Sequence, residues 1–326
     1  MIKDRHEWFI FTGISTFMES DYIKEIKESK NYDITFVGIP TDAWVSYRRW
    51  AMYGPKTLRE LSCWEKLNGK EYLDTSSGEN KRTNQYTVCD AWDIFLSRDS
   101  IGIMHDEIYR TIKEVRQYSF PLIVWGDHSI AYSTIRWCIE ASGIPKERIG
   151  ILHIDAHCDT EENCLWLNKY HHWAPFRLLI DEWHIIGKNL YTIGPRWMLP
   201  ISQIEYAKAQ WINLHLMPNI RKTGFETFLA NILNELSQKF EAIYVTLDVD
   251  GMDPSDMRGT WTPVEGWFYA HEIEKLVRSL SWFNIIGFEM VELAPEFDSS
   301  WYSTIVASNI LWQFLAFWLK LTQLWK

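Results

Sequence analysis

The sequence predicts an α/β fold built on a mainly parallel sheet of about eight strands with helices on both faces. Short runs rich in β-branched residues alternate along the chain with segments of helical periodicity, which is the pattern of βαβ units. No internal repeat or long linker breaks the alternation, so all 326 residues read as a single domain, 1–326. Acidic residues and histidines gather just after the strand-like runs, where open parallel sheets form their ligand sites.

The strand-like runs are "DITFVGIP" (33–40), "PLIVWGD" (121–127), "RIGILHID" (148–155), "NLYTIGP" (189–195), "INLHLMP" (212–218), "AIYVTLDVD" (242–250) and "IIGFEMVEL" (285–293). Helical patterns are clearest over 103–118, 223–239 and 270–281. The polar segment 74–85, "DTSSGENKRTNQ", reads as a flexible loop. Residues 303–319 carry no charge, but Ser303, Thr304, Ser308, Asn309 and Gln313 interrupt them, and a membrane span needs about 20 mostly apolar residues. They predict a buried or interface-forming last helix.

A hydrophobic content of 47% is ample for a buried core. The net charge of −10, without a run of lysines or arginines, argues against a nucleic-acid or membrane partner and favours a cationic substrate. Five cysteines without a CxxC pair, behind an N-terminus that lacks a signal-peptide pattern, predict a reducing cytoplasm.

Chemistry concentrates at four strand ends: His128; Asp155, His157 and Asp159 in "HIDAHCDT"; Asp248 and Asp250 in "TLDVDGMDP"; and Glu292 in "GFEMVEL". In extended backbone, residues i and i+2 share a face, so Asp155 converges with His157 and Asp248 with Asp250. Singly, "GDHS" reads as a turn and helix cap, and "DVD" as a solvated pair. Together, four aspartates and two histidines at successive strand ends describe a metal centre. Four carboxylates match the charge of two divalent ions sharing a water, about 3.5–4 Å apart. Oxygen-rich ligation with imidazole and no thiolate favours Mn²⁺ over structural zinc. Cys158, at the opposite parity, is expected to point away.

These motifs, "WGDHS", "HIDAHCDT", "TLDVDGMDP" and "GFEMVEL", resemble in order and spacing those of the ureohydrolase family, which includes arginase, agmatinase and guanidinobutyrase. The segment "VGIPTDAWVSYRRWAMYGPKTLRELS" resembles the family's N-terminal region. The resemblance implies the three-layer arginase-type fold and two Mn²⁺ ions. His128, Asp155, Asp159 and Asp248 would hold one ion and Asp155, His157, Asp248 and Asp250 the other, with Asp155 and Asp248 bridging. It further implies release of urea from a guanidino compound. Asp159 would orient the attacking hydroxide, Glu292 would bind the guanidinium, and His172 in "YHHWAPFR" would shuttle the proton, with His171 beside it as the competing choice. Thr246 and Thr262 look like hydroxyls that support the ligands. The family's habit of trimers and hexamers, with the aromatic tail "ILWQFLAFWLKLTQLW", predicts a homo-oligomer.

The sequence departs from arginase proper in two ways. Arginase reads its substrate's α-carboxylate through an asparagine where this chain has Glu161, followed by Glu162, and the α-ammonium through an aspartate where it has Leu199. A carboxylate facing a carboxylate is repulsive. The expected substrate is therefore not free arginine but an agmatine-like compound or an arginine within a peptide, giving ornithine. Tryptophan also stands where the family usually has glycine, at Trp44, Trp50, Trp92, Trp125, Trp173, Trp197, Trp261 and Trp267, and Arg258 replaces a usual proline. Trp173, Trp261 and Thr262 join Glu161, Glu162 and His171 as candidates for the substrate pocket. A catalytically silent metal-binding relative, or a hydrolase of another C–N bond such as a formimino group, are the competing readings.

Overall fold

A computed structural model describes residues 14–318 except 44, 46–47, 65–66, 68, 75–77, 98–99, 125, 163–168, 197 and 267. Trp44, Trp125, Trp197, Trp267 and Cys164 therefore lie outside the described residues. The strands are β1 (Asp21–Tyr22), β2 (Ile34–Gly38), β3 (Glu71–Asp74), β4 (Glu79–Arg82), β5 (Val88–Asp93), β6 (Phe120–Val124), β7 (Ile149–Ile154), β8 (Leu190–Ile193), β9 (Asn213–His215), β10 (Ala242–Asp248) and β11 (Ile285–Val291). The helices are α1 (Gly54–Leu61), α2 (Ile101–Arg116), α3 (Ala131–Ser142), α4 (Pro175–Asp181), α5 (Ile201–Ala209), α6 (Met217–Thr223), α7 (Phe225–Lys239), α8 (Ala270–Ser279) and α9 (Tyr302–Phe317).

Nine strands form one sheet in the order β1-β5-β2-β6-β11-β10-β7-β8-β9, and every described pairing within it is parallel. All seven strand-like runs appear in it. The extra strands are β1 and β5, which carry few β-branched residues and so left little signal. β5 is fixed by a buried ion pair, in which Arg59 of α1 donates to both oxygens of Asp90 (2.8 and 3.0 Å) and to Asp93 (2.7 Å), and β1 pairs along it. Part of the polar segment expected to be a loop is instead strand: β4 lies within it and pairs antiparallel with β3, which ends at Asp74.

Because both faces of the sheet are covered, the central strands are buried end to end, as parallel sheets require. On one face α6, α7, α8 and α9 supply Ile220, Leu229, Leu276 and Phe314 to a core cluster. On the other, α2, α3 and α4 supply Ile108, Ile135 and Leu179 to a second. This is the three-layer architecture. α9 is the expected last helix, buried along most of its length. Trp318, just beyond it, is fully buried against Phe314 and Phe120. Among the described residues, no helix is long and apolar enough to cross a membrane.

The chain runs from β6 through α3 to β7, yet β11 and β10 lie between those strands. Four neighbouring carboxyl ends therefore open at one place, the kind of crevice in which α/β sheets bind ligands.

Candidate metal centre and active site

Each of those four strand ends delivers reactive side chains. After β6, Gly126 lets the chain pass the β2 end closely, since a Cβ there would lie 2.8 Å from the Ile39 carbonyl oxygen. His128 follows in a short turn that Asp127 caps, its Oδ1 accepting from the Ser129 N–H at 3.0 Å. β7 stops at Ile154, and Asp155 to Asp159 form the loop beyond it. β10 stops at Asp248 and turns tightly through Val249–Gly251. β11 stops at Val291, and Glu292 follows in left-handed backbone, φ 64°.

The aspartate and histidine pairs converge, though not through extended alternation as the sequence suggested. The strands end first, and short carboxylates bind the backbone two residues on: Asp155 Oδ1 accepts from His157 N–H (2.6 Å) and Asp248 Oδ1 from Asp250 N–H (2.8 Å). Aspartate favours such turns because its side chain reaches its own backbone.

Two donor clusters result. His128 Nδ1 lies 2.9 Å from Asp159 Oδ2, 3.2 Å from Asp155 Oδ2 and 3.3 Å from Asp248 Oδ2. His157 Nδ1 lies 3.2 Å from Asp250 Oδ2 and 3.3 Å from Asp155 Oδ1. Asp155 thus reaches both clusters, one oxygen to each. With metal–ligand bonds of roughly 2.0–2.2 Å, adjacent donors around one ion sit roughly 3 Å apart, so these spacings fit two ions.

The chemistry of the donors fits as well. His128 Nδ1 is buried and makes no hydrogen bond, while its Nε2 lies 3.0 Å from Thr246 Oγ1. A proton on Nε2 shared with Thr246 leaves the Nδ1 lone pair aimed at the oxygens, as a ligand requires. Burial, with Asp155 adding, pushes Asp159 up to about 6. Burial, with Asp250 and Asp155 adding, raises Asp248 well above the usual carboxylate range. For His128, burial alone would lower the pKa, but Asp155, Asp159 and Asp248 outweigh it and raise it. Crowded buried carboxylates demand positive charge, which bound cations would supply.

His153 was missed by the sequence reasoning. It belongs to the first cluster, with Nε2 2.7 Å from Asp155 Oδ2. The signal was there: a polar residue two places before Asp155, in an otherwise apolar strand. Cys158 is buried and belongs to neither cluster.

Glu292 stands beside the clusters. Its Oε1 accepts from the His128 N–H at 2.8 Å and lies 3.5 Å from His172 Nδ1, whereas its Oε2 is buried without a hydrogen-bond partner. Burial pushes its pKa up to about 8. His172 is buried against Trp261 and Trp173, ring centroids 4.7 and 5.0 Å away, and burial lowers its pKa. His171 is also buried, and burial followed by the charge of His172 lowers it to about 4. Of the two, His172 faces Glu292.

Thr262 donates to Asp250 Oδ2 at 2.7 Å, so it braces a donor. Glu161 and Glu162 line a small cleft with Ala174, Arg177, Leu178 and Asp181, where Glu162 Oε1 is 3.7 Å from Arg177 Nη2.

Residues 32–316 match the family model described as "Arginase family". The chain belongs to the arginase family. It is 28% identical over 309 residues to proclavaminate amidinohydrolase of Streptomyces clavuligerus, covering 94% of each chain. The solved structure of that enzyme superposes with a TM-score of 0.80, covering 94% of this chain and 97% of that one. It is 28% identical to the mitochondrial guanidino acid hydrolase of Homo sapiens, over 89% of this chain and 79% of the relative. The formimidoylglutamase structure from Bacillus subtilis matches with a TM-score of 0.79 at 25% identity, covering 92% and 91%. Arginase-family members are hydrolases of C–N bonds in linear amidines, and this member carries the family's cluster of histidines and aspartates.

Proposed function

We propose that this protein is a binuclear manganese hydrolase that cleaves a guanidino group to urea and an amine, acting on a compound other than free arginine. The observation that carries the reading is the bare Oε2 of Glu292, buried among metal-type donors. A buried carboxylate oxygen without a partner costs stability unless a ligand donates to it. A guanidinium offers the planar donors that match a carboxylate.

His128, Asp155, Asp159 and Asp248 would hold one Mn²⁺, and Asp155, His157 and Asp250 the other, with Asp248 available to both. The ions, when bound, lower the pKa of a water so that hydroxide is available near neutral pH. Asp159 would accept a hydrogen bond from the attacking water and so help to orient it. Glu292 orients the guanidinium carbon towards the nucleophile and offsets its charge. His172, neutral because burial lowers its pKa, takes up a proton and returns it to the departing amine.

Substrate selection rests on Glu161, Glu162 and Leu199, where the recognition of a free α-amino acid is lost. An agmatine-like ammonium or a peptide backbone suits these residues, although Arg177 already offsets part of the Glu162 charge. Trp173 and Trp261, stacked at 6.1 Å, would wall the pocket. The free thiols Cys89, Cys138 and Cys158 fit a cytoplasmic setting. Assembly as a trimer or hexamer is part of the proposal, but the described tail aromatics are spent on the protein's own core, so light scattering must supply the evidence.

The test is urea release with added Mn²⁺ from agmatine, guanidinobutyrate, free arginine and an arginine-containing peptide. We expect free arginine to be the poorest. Turnover of arginine equal to the best substrate overturns the reading of Glu161 and Leu199. Formamide as product would favour a formimino substrate, and no product from any compound would favour a silent relative.

A further inference from the structure

His153 has no role in the reaction as derived, and its surroundings assign one. It pairs in register with Thr192 of β8 and Thr246 of β10, and Thr246 pairs with Glu289 of β11. Thr192, His153, Thr246 and Glu289 thus make a polar row across four adjacent strands, in a sheet interior that is otherwise largely apolar. All are buried. Each contact in the row is directional: His153 Nδ1 lies 3.2 Å from Thr192 Oγ1, Thr246 Oγ1 lies 3.0 Å from His128 Nε2, and Glu289 Oε2 accepts from Thr134 Oγ1 at 2.6 Å.

Ionised Asp155 can only accept, so His153 Nε2 carries the proton that bridges to Asp155 Oδ2. Nδ1 is then an acceptor, and the Thr192 hydroxyl donates to it, fixing the tautomer. Phe176 lies against the ring at 4.1 Å and prevents it from turning. We propose that His153, oriented by Thr192, is a positioning residue that aligns the Asp155 carboxylate so that one oxygen meets each ion. It rests on the metal-dependent reading above.

Mn²⁺ affinity by chelator competition tests it, alongside the electron paramagnetic resonance of the coupled ion pair. His153→Leu should weaken binding roughly 10–100-fold and diminish the coupled signal, as loss of a partner behind a ligand does elsewhere. Thr192→Val, a milder change, should act in the same direction with less effect, and His153→Asn should recover part of the loss. Affinity within twofold of wild type in both His153→Leu and Thr192→Val overturns the proposal. If His153→Leu fails to fold, an unchanged affinity in Thr192→Val does so alone. Wild-type protein that binds no divalent ion would instead sink the functional reading.

The backbone carries a second, independent inference. Among the described residues, nine that are not glycine have positive φ, and four of them are tryptophan: Trp92 (64°), Trp183 (62°), Trp211 (60°) and Trp301 (65°). Bulky residues rarely adopt this conformation, which glycine accepts freely. The chain holds 19 tryptophans against 16 glycines, whereas glycine alone ordinarily makes up about 7% of a sequence, roughly 23 residues at this length. We infer that these four are glycine positions and that the polypeptide made in its own cell carries glycine there. A codon such as UGA, which some genetic codes assign to tryptophan and others to glycine, would supply the means.

Trp318 is the control, fully buried at φ −72° with its indole N–H donating to the Phe283 carbonyl. Mass spectrometry of peptides from the native protein should show glycine at the four sites and tryptophan at 318. Tryptophan at the four sites overturns the decoding. The quadruple Trp→Gly variant should melt several degrees higher, and Trp318→Gly lower; a fall in Tm for the quadruple variant overturns the assignment of these positions to glycine.

Discussion

Left-handed backbone recurs along this chain, and in two of the regions that adopt it, it means different things. At the carboxyl ends of the sheet, Asp159 (φ 48°) and Glu292 (φ 64°) adopt it while buried at 3% and 1% exposure. At surface turns, Trp183 and Trp211 adopt it with indoles 77% and 79% exposed. The cost of positive φ is similar, ~1–2 kcal/mol per residue. In the site, that strain aims a carboxylate into the donor cluster and is held by contacts such as Glu292 N–H to the Gly126 carbonyl at 3.1 Å. At the turns, the rings lie mostly in solvent and only rim a shallow groove with Ile180 and Ile185. Strain retained by dense contacts marks function; strain without them marks a misfit between residue and position.

The largest expected effect comes from the donors. Asp155→Ala removes the residue that reaches both clusters and should lower urea release at least ~10³-fold, with metal content falling in parallel; full metal content with normal turnover would show that Asp155 only packs. Next is Glu292. Glu292→Gln keeps the shape but removes the charge, and kcat/KM should fall roughly 10²–10⁴-fold with Mn²⁺ affinity nearly unchanged. A loss of metal instead would mean that Glu292 serves the ions, and the site's strain would need another reason.

Metal removal separates the regions through pH. Burial raises Asp159 to about 6 and Glu292 to about 8, whereas buried His105 and His171 are lowered to about 3 and about 4 and oppose them in acid. Above about pH 6.5 those histidines are neutral folded or unfolded, so the proton held by Glu292 decides the sign, and stability falls as pH rises from about 6.5 to 8. Chelated protein should lose Tm steadily across that window, and Mn²⁺ should abolish most of the loss. A pH-independent Tm without metal would show that the carboxylates are not crowded as described. The smallest effect belongs to the turns: Trp183→Gly should add ~1–2 kcal/mol of stability and leave kcat unchanged. An unchanged or lower Tm would erase the contrast between the two regions.

The alternation of β-branched runs and helical periods determined the parallel sheet and its seven main strands, because both signals are local. The convergence was legible too, since the side chains of His128, Asp155, His157, Asp159, Asp248 and Asp250 do meet. Only the tertiary structure revealed how they meet: strands that stop early, with carboxylates folding back on their own backbone. It alone placed β5, held by Arg59 across a distance no window spans, and β1 beside it, and turned part of the polar 74–85 segment into a strand. It alone aligned His153 with Thr192 and Thr246, because register between strands far apart in the chain leaves no mark in either one's sequence.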